Sequence, residues 1–285
     1  LEKAEQLRQA IKSDPEWIDG FQAMIRTLAP ELRTSSLDEL IAPIQVPWWN
    51  AALLSRTGGS YDAVRGILHV DSSLSHSYLP QLMSSEKLVR AKTDSMSVSN
   101  VLITSDGLIV LGYRGGHRYS NTIMTVGAGS IELHSGKNPL FETCYTELKE
   151  EVKLDKQDLT SVELVGNICD ETLQKSTLYV FRSKTSLTFA ELLDTWQESI
   201  DQNEHKYLLP FPDDPERMLD HIHLNGYDLT RADPQNHAAT TIGNAGSILP
   251  PCAASLLAHF GQQYGANFIQ KARSKLGESY LFESF

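Results

Sequence analysis

Cysteine is scarce in this chain. Cys144, Cys169 and Cys252 are scattered over 285 residues, odd in number and without a C-x-x-C pair. That spacing suggests neither a zinc site nor a disulfide framework, and buried free thiols in a reducing cytoplasm are expected. Long apolar runs are missing as well. No segment approaches the roughly 20 residues a membrane-spanning helix needs, so no membrane association is expected. Positive charge is in deficit: 25 Lys and Arg stand against 36 Asp and Glu, for a net charge of −11. That sign argues against general nucleic-acid binding, which needs a basic footprint. No G-x-S-x-G elbow or Walker-type loop occurs, which leaves serine and cysteine nucleophiles without a supporting context. No repeat of fixed period is seen. Apolar residues are present in ordinary measure, 41% of the chain, enough to build the core of one elaborated domain or of two.

The pattern divides at about residue 93. Residues 1–93 read as a helical region. Leu1–Ser13 has a charged amphipathic character rather than that of a signal peptide. Pro15–Leu32 and Ser36–Leu40 read as further helices, and Tyr61–Leu82 carries helical periodicity broken by serine-rich turns. Three roles are open to this region: a cap that shapes a substrate site, an arm of a homodimer, or structural padding. Trp48-Trp49 fits a base-stacking platform or, more commonly, packing in a core.

Residues 94–285 read as an α+β domain. Strands are expected at Met96–Thr104, Gly107–Arg114, Asn121–Val126, Thr160–Ile168 and Ser176–Phe181, with amphipathic helices at Thr188–Gln202 and Pro251–Ser274. Between the third and fourth strands lies the most informative stretch, Gly127-Ala-Gly-Ser-Ile-Glu132 followed by Glu147-Leu-Lys-Glu150-Glu151. Asn138-Pro139 signals a helix start. From there Leu140, Phe141, Cys144, Tyr145, Leu148 and Val152 recur at helical spacing. Glu147, Glu150 and Glu151 centre roughly 130° from that stripe, at about 100° per residue. A helix packed by its apolar stripe would aim the three carboxylates together. Such like charges repel unless something neutralises them, and Mg²⁺ or Mn²⁺, which prefer oxygen ligands, is the simplest neutraliser. An E-x-x-E-E string by itself arises by chance roughly 0.6 times in a chain of this composition, so context decides its meaning.

The order of strand, G-x-G-x-x-E, loop and helix with E-L-x-E-E resembles the Nudix hydrolase superfamily, whose box reads G-x5-E-x7-R-E-U-x-E-E-x-G-U with U apolar. Gly129 matches the opening glycine, and Glu147, Leu148, Glu150, Glu151 and Leu154 match the second half. Thr146 stands where the box has arginine, and Lys153 where it has its late glycine. About three extra residues separate Gly129 from Glu147, which leaves the mid-box glutamate without a clean equivalent. Downstream, Asn203-Glu-His-Lys-Tyr-Leu-Leu-Pro-Phe211 followed by Asp213–Leu219 resembles the family's late segment: an acidic residue and a histidine, a strand, then a short helix.

The resemblance implies an α/β/α sandwich with a mixed sheet and hydrolysis of a nucleoside diphosphate linked to another moiety, with a nucleotide sugar preferred. It implies Glu147, Glu150 and Glu151 as metal-binding and base-supplying carboxylates, the Gly129 carbonyl as a further ligand, and Glu204 as an additional carboxylate for the metal or the attacking water. Mg²⁺ or Mn²⁺ would be the cofactor and a small phosphorylated molecule the partner. Arg114 and Arg118 flank Gly115-Gly116-His117 and suit phosphate through their planar guanidinium forks. His205 reads as an exposed residue or as a proton shuttle beside Glu204. His221 and His223, two apart and without a third ligand in the sequence, read as structural. Two other readings stay open. One is a Nudix-like fold that binds a ligand or only builds structure, favoured by Thr146 and Lys153. The other is isomerase chemistry on a diphosphate.

Overall fold

The computed structural model describes residues 52–62, 65, 67–76, 94–115, 121–131, 138–170, 176–197, 204–225 and 247–277. The chain forms two compact units, Leu1–Met96 with Cys169–Thr177, and Ser97–Ile168 with Leu178–Phe285. The first boundary falls three residues beyond the one the sequence suggests, and a short later segment joins the N-terminal unit.

In the N-terminal unit, β1 (Ala52–Asp62) and β2 (Ile67–His76) make an antiparallel hairpin, registered from Ala52↔His76 to Asp62↔Ile67 with a bulge between Arg56 and Gly58. The Arg65 amide donates to Asp62 Oδ1 in the turn. This corrects the all-helical reading of residues 1–93 where they are described. Short apolar runs do not distinguish strand from helix by periodicity. Here Gly58-Gly59 works against a helix, and the turn at Arg65 lets two extended runs pair. The readings for residues 1–51, Trp48 and Trp49 among them, lie outside the described residues.

The second unit is α+β, built on a mixed sheet. Its strands are β3 (Asp94–Ile103), β4 (Leu108–Arg114), β5 (Thr122–Thr125), β6 (Gly129–Ser130), β7 (Leu159–Asp170), β8 (Ser176–Thr185), β9 (His205–Pro212) and β10 (Ser247–Ile248). Of these, the first three residues of β3, the last two of β7 and the first two of β8 belong to the first unit. The path β10-β5-β4-β3 is extended by β8 and β6 on β3, β7 on β8 and β9 on β4. β10 runs parallel to β5, while β4 is antiparallel to β3, β5 and β9.

Strand alternation sorts side chains to two faces. Val101 and Ile103, Ile109 and Leu111, Ile123 and Val180 form one buried core with Met218, Leu219 and Ile222 of α3 (Pro215–Asn225) and with Leu256, Leu257 and Phe260 of α4 (Pro250–Leu276). The other face receives α1 (Pro139–Val152), which buries Leu140, Cys144, Leu148 and Val152. Phe141 of α1 meets Phe181 of β8 edge-on at 5.1 Å. Each such aliphatic side chain contributes about 1.5–3 kcal/mol on burial. α2 (Phe189–Trp196) follows a Thr188–Glu191 capping box and buries Leu192. It ends short of the expected Gln202, whose neighbourhood lies outside the described residues.

α1 forms where its residues require it. Asn138 Oδ1 accepts from the Leu140 amide at 3.1 Å, and Pro139 occupies the first turn. At the other end Lys153 adopts left-handed backbone, φ 57° and ψ 33°. The amides of Lys153 and Leu154 then close on the carbonyls of Lys149 and Leu148.

Candidate functional site

The site assembles where the loop leaving β5, the C-terminal half of α1 and the start of β9 converge. Gly127 turns the chain with φ 69°, which directs two successive amides at one side chain. The Gly127 amide donates to Glu151 Oε2 at 2.8 Å, and the Ala128 amide to Glu151 Oε1 at 3.1 Å. His205 Nε2 lies 2.8 Å from the same Oε2. Glu151 is 1% exposed, and a carboxylate so withdrawn from water is tolerated only when donors surround it.

Glu147, one turn earlier, lies against Gly129. A Cβ at Gly129 would collide with the Glu147 carboxylate, so the glycine makes the cradle that carboxylate fills. Glu150 is half-buried on α1. Glu204, immediately before β9, pairs with Arg114 at the end of β4, Nη1 to Oε1 at 2.6 Å. Burial and the Glu151 charge push the Glu204 carboxyl above its ordinary range, against the opposing pull of Arg114.

The residues singled out in the sequence therefore meet in part. Glu151 and Glu204, 53 positions apart in the chain, come together with His205, their ligand atoms within 4.8 Å of one another. Among the described residues Glu147 and Glu150 fall outside that group. Arg114 faces Glu204. Arg118 and Glu132 lie outside the described residues. Lys149, turned from the cluster, pairs with Asp155 at 2.7 Å.

The reading of His205 as exposed is overturned: it is 1% exposed. The reason lies in the strand register. Tyr113 pairs with Tyr207 but Arg114 pairs with His205, so Lys206 is an extra residue. Such a bulge turns the side chains beyond it to the other face. Tyr207 stays with Tyr113, their rings 6.0 Å apart, while His205 faces α1. Its ring rests over Gly112, where a Cβ would collide with Nδ1. A glycine inside a strand is the sequence signal that marks such a close approach. His221 is half-buried and stacks on Phe211 at 5.0 Å, and burial lowers its pKa. His223 is exposed.

The donor set fits a hard divalent cation. The acids at the loop are carboxylates, one cradled by Gly129 and one fixed by loop amides, and hard ions take oxygen ligands. His205 Nε2 is already directed at Glu151.

No known family model matches this sequence, and no curated protein does. Solved structures do. The NUDIX domain of Shewanella oneidensis NrtR, complexed with ADP ribose, is 14% identical over 42% of this chain and 73% of its own, with a TM-score of 0.32. A mutT/nudix family protein from Listeria innocua is 16% identical over 45% of this chain and 82% of its own, TM-score 0.32. The E. coli ORF135 protein is 15% identical over 60% of this chain and 92% of its own, TM-score 0.35.

Proposed function

We propose that the protein is a divalent-metal-dependent hydrolase of a nucleoside diphosphate linked to another moiety, a nucleotide sugar being the preferred class. One observation carries the reading: Glu151, a buried carboxylate of the Nudix-like E-x-x-E-E helix, is fixed by two loop amides and brought beside Glu204. A helix that served structure alone would gain nothing from drawing a second acid toward a buried one.

Mg²⁺ or Mn²⁺ would be held by Glu147, Glu150 and Glu151, with the Gly129 carbonyl as a further oxygen. When bound, the ion would supply a water of lowered pKa and a counter-charge for phosphate oxygens. Glu204, whose affinity for a proton is raised by burial, would take the proton from that water; a base works best when its pKa lies near the operating pH. Arg114 would hold Glu204 in place and set a guanidinium charge beside the phosphate.

A second reading is a ligand-binding or structural protein. It is favoured by the hydrogen bonds Glu151 takes from amides and histidine and by the Arg114–Glu204 pair, which partly neutralise both acids without a cation.

The experiment is release of phosphate or nucleotide from nucleoside diphosphate sugars, dinucleotides and nucleoside triphosphates in Mg²⁺ or Mn²⁺, with wild type beside Glu150→Gln and Glu151→Gln. Cation-dependent turnover that falls at least about a hundredfold in folded variants supports the hydrolase. No turnover on any compound, with no cation-induced stabilisation, supports the second reading.

A further inference from the structure

We propose that His205 is the positioning residue for Glu151: it holds the carboxylate so that a single lone pair, on Oε1, is left for a cation, and it does not itself ligate. The inference rests on the hydrolase reading for its purpose, but its geometry stands independently.

A carboxylate oxygen has two lone pairs. Oε2 of Glu151 receives the Gly127 amide and His205 Nε2, and Oε1 receives the Ala128 amide. Oε2 is thereby filled and Oε1 keeps one vacancy. Because Nε2 faces an oxygen that only accepts, it carries the ring proton, and Nδ1 is the bare nitrogen. Nδ1 is buried without a hydrogen-bond partner. A buried orphan donor is the rarer and costlier case, which favours the same tautomer. An imidazole nitrogen that bears a proton has no lone pair for a metal, so the grouping of His205 with Glu151 and Glu204 is that of a support with two acids.

Two features of the fold have no other evident use than to put the ring there. The bulge at Lys206 turns His205 toward α1, and Gly112 leaves the space its ring occupies. An anchored ligand oxygen is pre-aimed, and losing such an outer partner typically weakens metal binding about 10–100-fold.

The test measures Mn²⁺ affinity by electron paramagnetic resonance, with circular dichroism and Tm as checks of folding. His205→Leu removes the donor, Gly112→Ala displaces the ring, and His205→Gln keeps an N–H at the same reach. The expected result is a loss of about 10–100-fold for the first two and recovery to near wild type for His205→Gln. Wild-type affinity in a folded His205→Leu, or a folded His205→Gln as weak as His205→Leu, would overturn the proposal.

Nitrogen-15 spectra of the wild-type imidazole decide the case even where the variants do not fold. A slowly exchanging Nε2–H with a bare Nδ1 supports the proposal, and a proton on Nδ1 overturns it. Absence of Mn²⁺ binding in wild type would instead sink the hydrolase reading and remove the cation from the proposal, leaving the tautomer to decide the Glu151 contact.

Discussion

At Gly129 a hydrogen atom stands where any other residue would place a β-carbon, and the Glu147 carboxylate fills that space. Gly129→Ala should therefore displace Glu147 and weaken Mn²⁺ binding by about tenfold or more while the circular dichroism spectrum stays native. Unchanged affinity would remove Glu147 from the site. The thiols make a second test at this scale. Burial lifts Cys144 to about 12 and raises Cys252 as well. The thiolate is the reactive form, so both should resist alkylation in mildly alkaline buffer and react once guanidinium unfolds the chain, with peptide mapping to separate the sites. Glu204 supplies the pH dependence. Its carboxyl is raised on folding, so the native state holds that proton more tightly than the unfolded chain. Its contribution favours the fold in acid and is lost as pH rises from the ordinary carboxyl range through the raised native value. In metal-free protein Glu204→Gln should raise Tm at neutral pH and flatten this part of the pH profile. A lower Tm would mean that the Arg114 ion pair outweighs the cost of burying the charge.

At the scale of elements, α1 was the most legible part of the sequence. Asn138-Pro139 fixed its start, and Leu140, Cys144, Leu148 and Val152 marked the side it buries. Its end was legible only in part. Lys153 departs in identity from the glycine of the Nudix-type box, yet it takes the left-handed backbone that glycine would. A non-glycine residue pays about 1–2 kcal/mol for that conformation, and glycine returns some of the gain as unfolded-state entropy. Lys153→Gly should stabilise the protein by about 0.5–1 kcal/mol in urea unfolding, without disturbing the site. A destabilised variant would show that the lysine side chain matters more than its backbone. β9 was expected from the resemblance of residues 203–211 to the late segment of the Nudix pattern, but not the aim of His205. Sequence alternation assigns every odd residue of a strand to one face, and one extra residue in the register changes that assignment.

For the molecule as a whole, a cation that binds only the folded state stabilises it by linkage, by about 2.7 kcal/mol at a hundred times its dissociation constant. A rise of Tm with Mn²⁺ or Mg²⁺, lost in Glu150→Gln, is the expected outcome, and a flat Tm would contradict a metal site. The sequence by itself determined the α+β class of the second unit, the strands β3, β4, β5, β7 and β8, the helices α1, α2 and α4, and the acids on α1, because these depend on local periodicity, caps and glycine turns. The two-residue strands β6 and β10, too short to carry a period, were not expected. It misjudged Ala52–His76, where an apolar run is consistent with either period and long-range pairing selects the strand. Only the tertiary structure decided that Glu151 is buried, that Arg114 faces Glu204 and that His205 reaches across from another strand. These depend on strand register and on the space left by Gly112 and Gly129, and neither is set within a few residues of the side chains it positions.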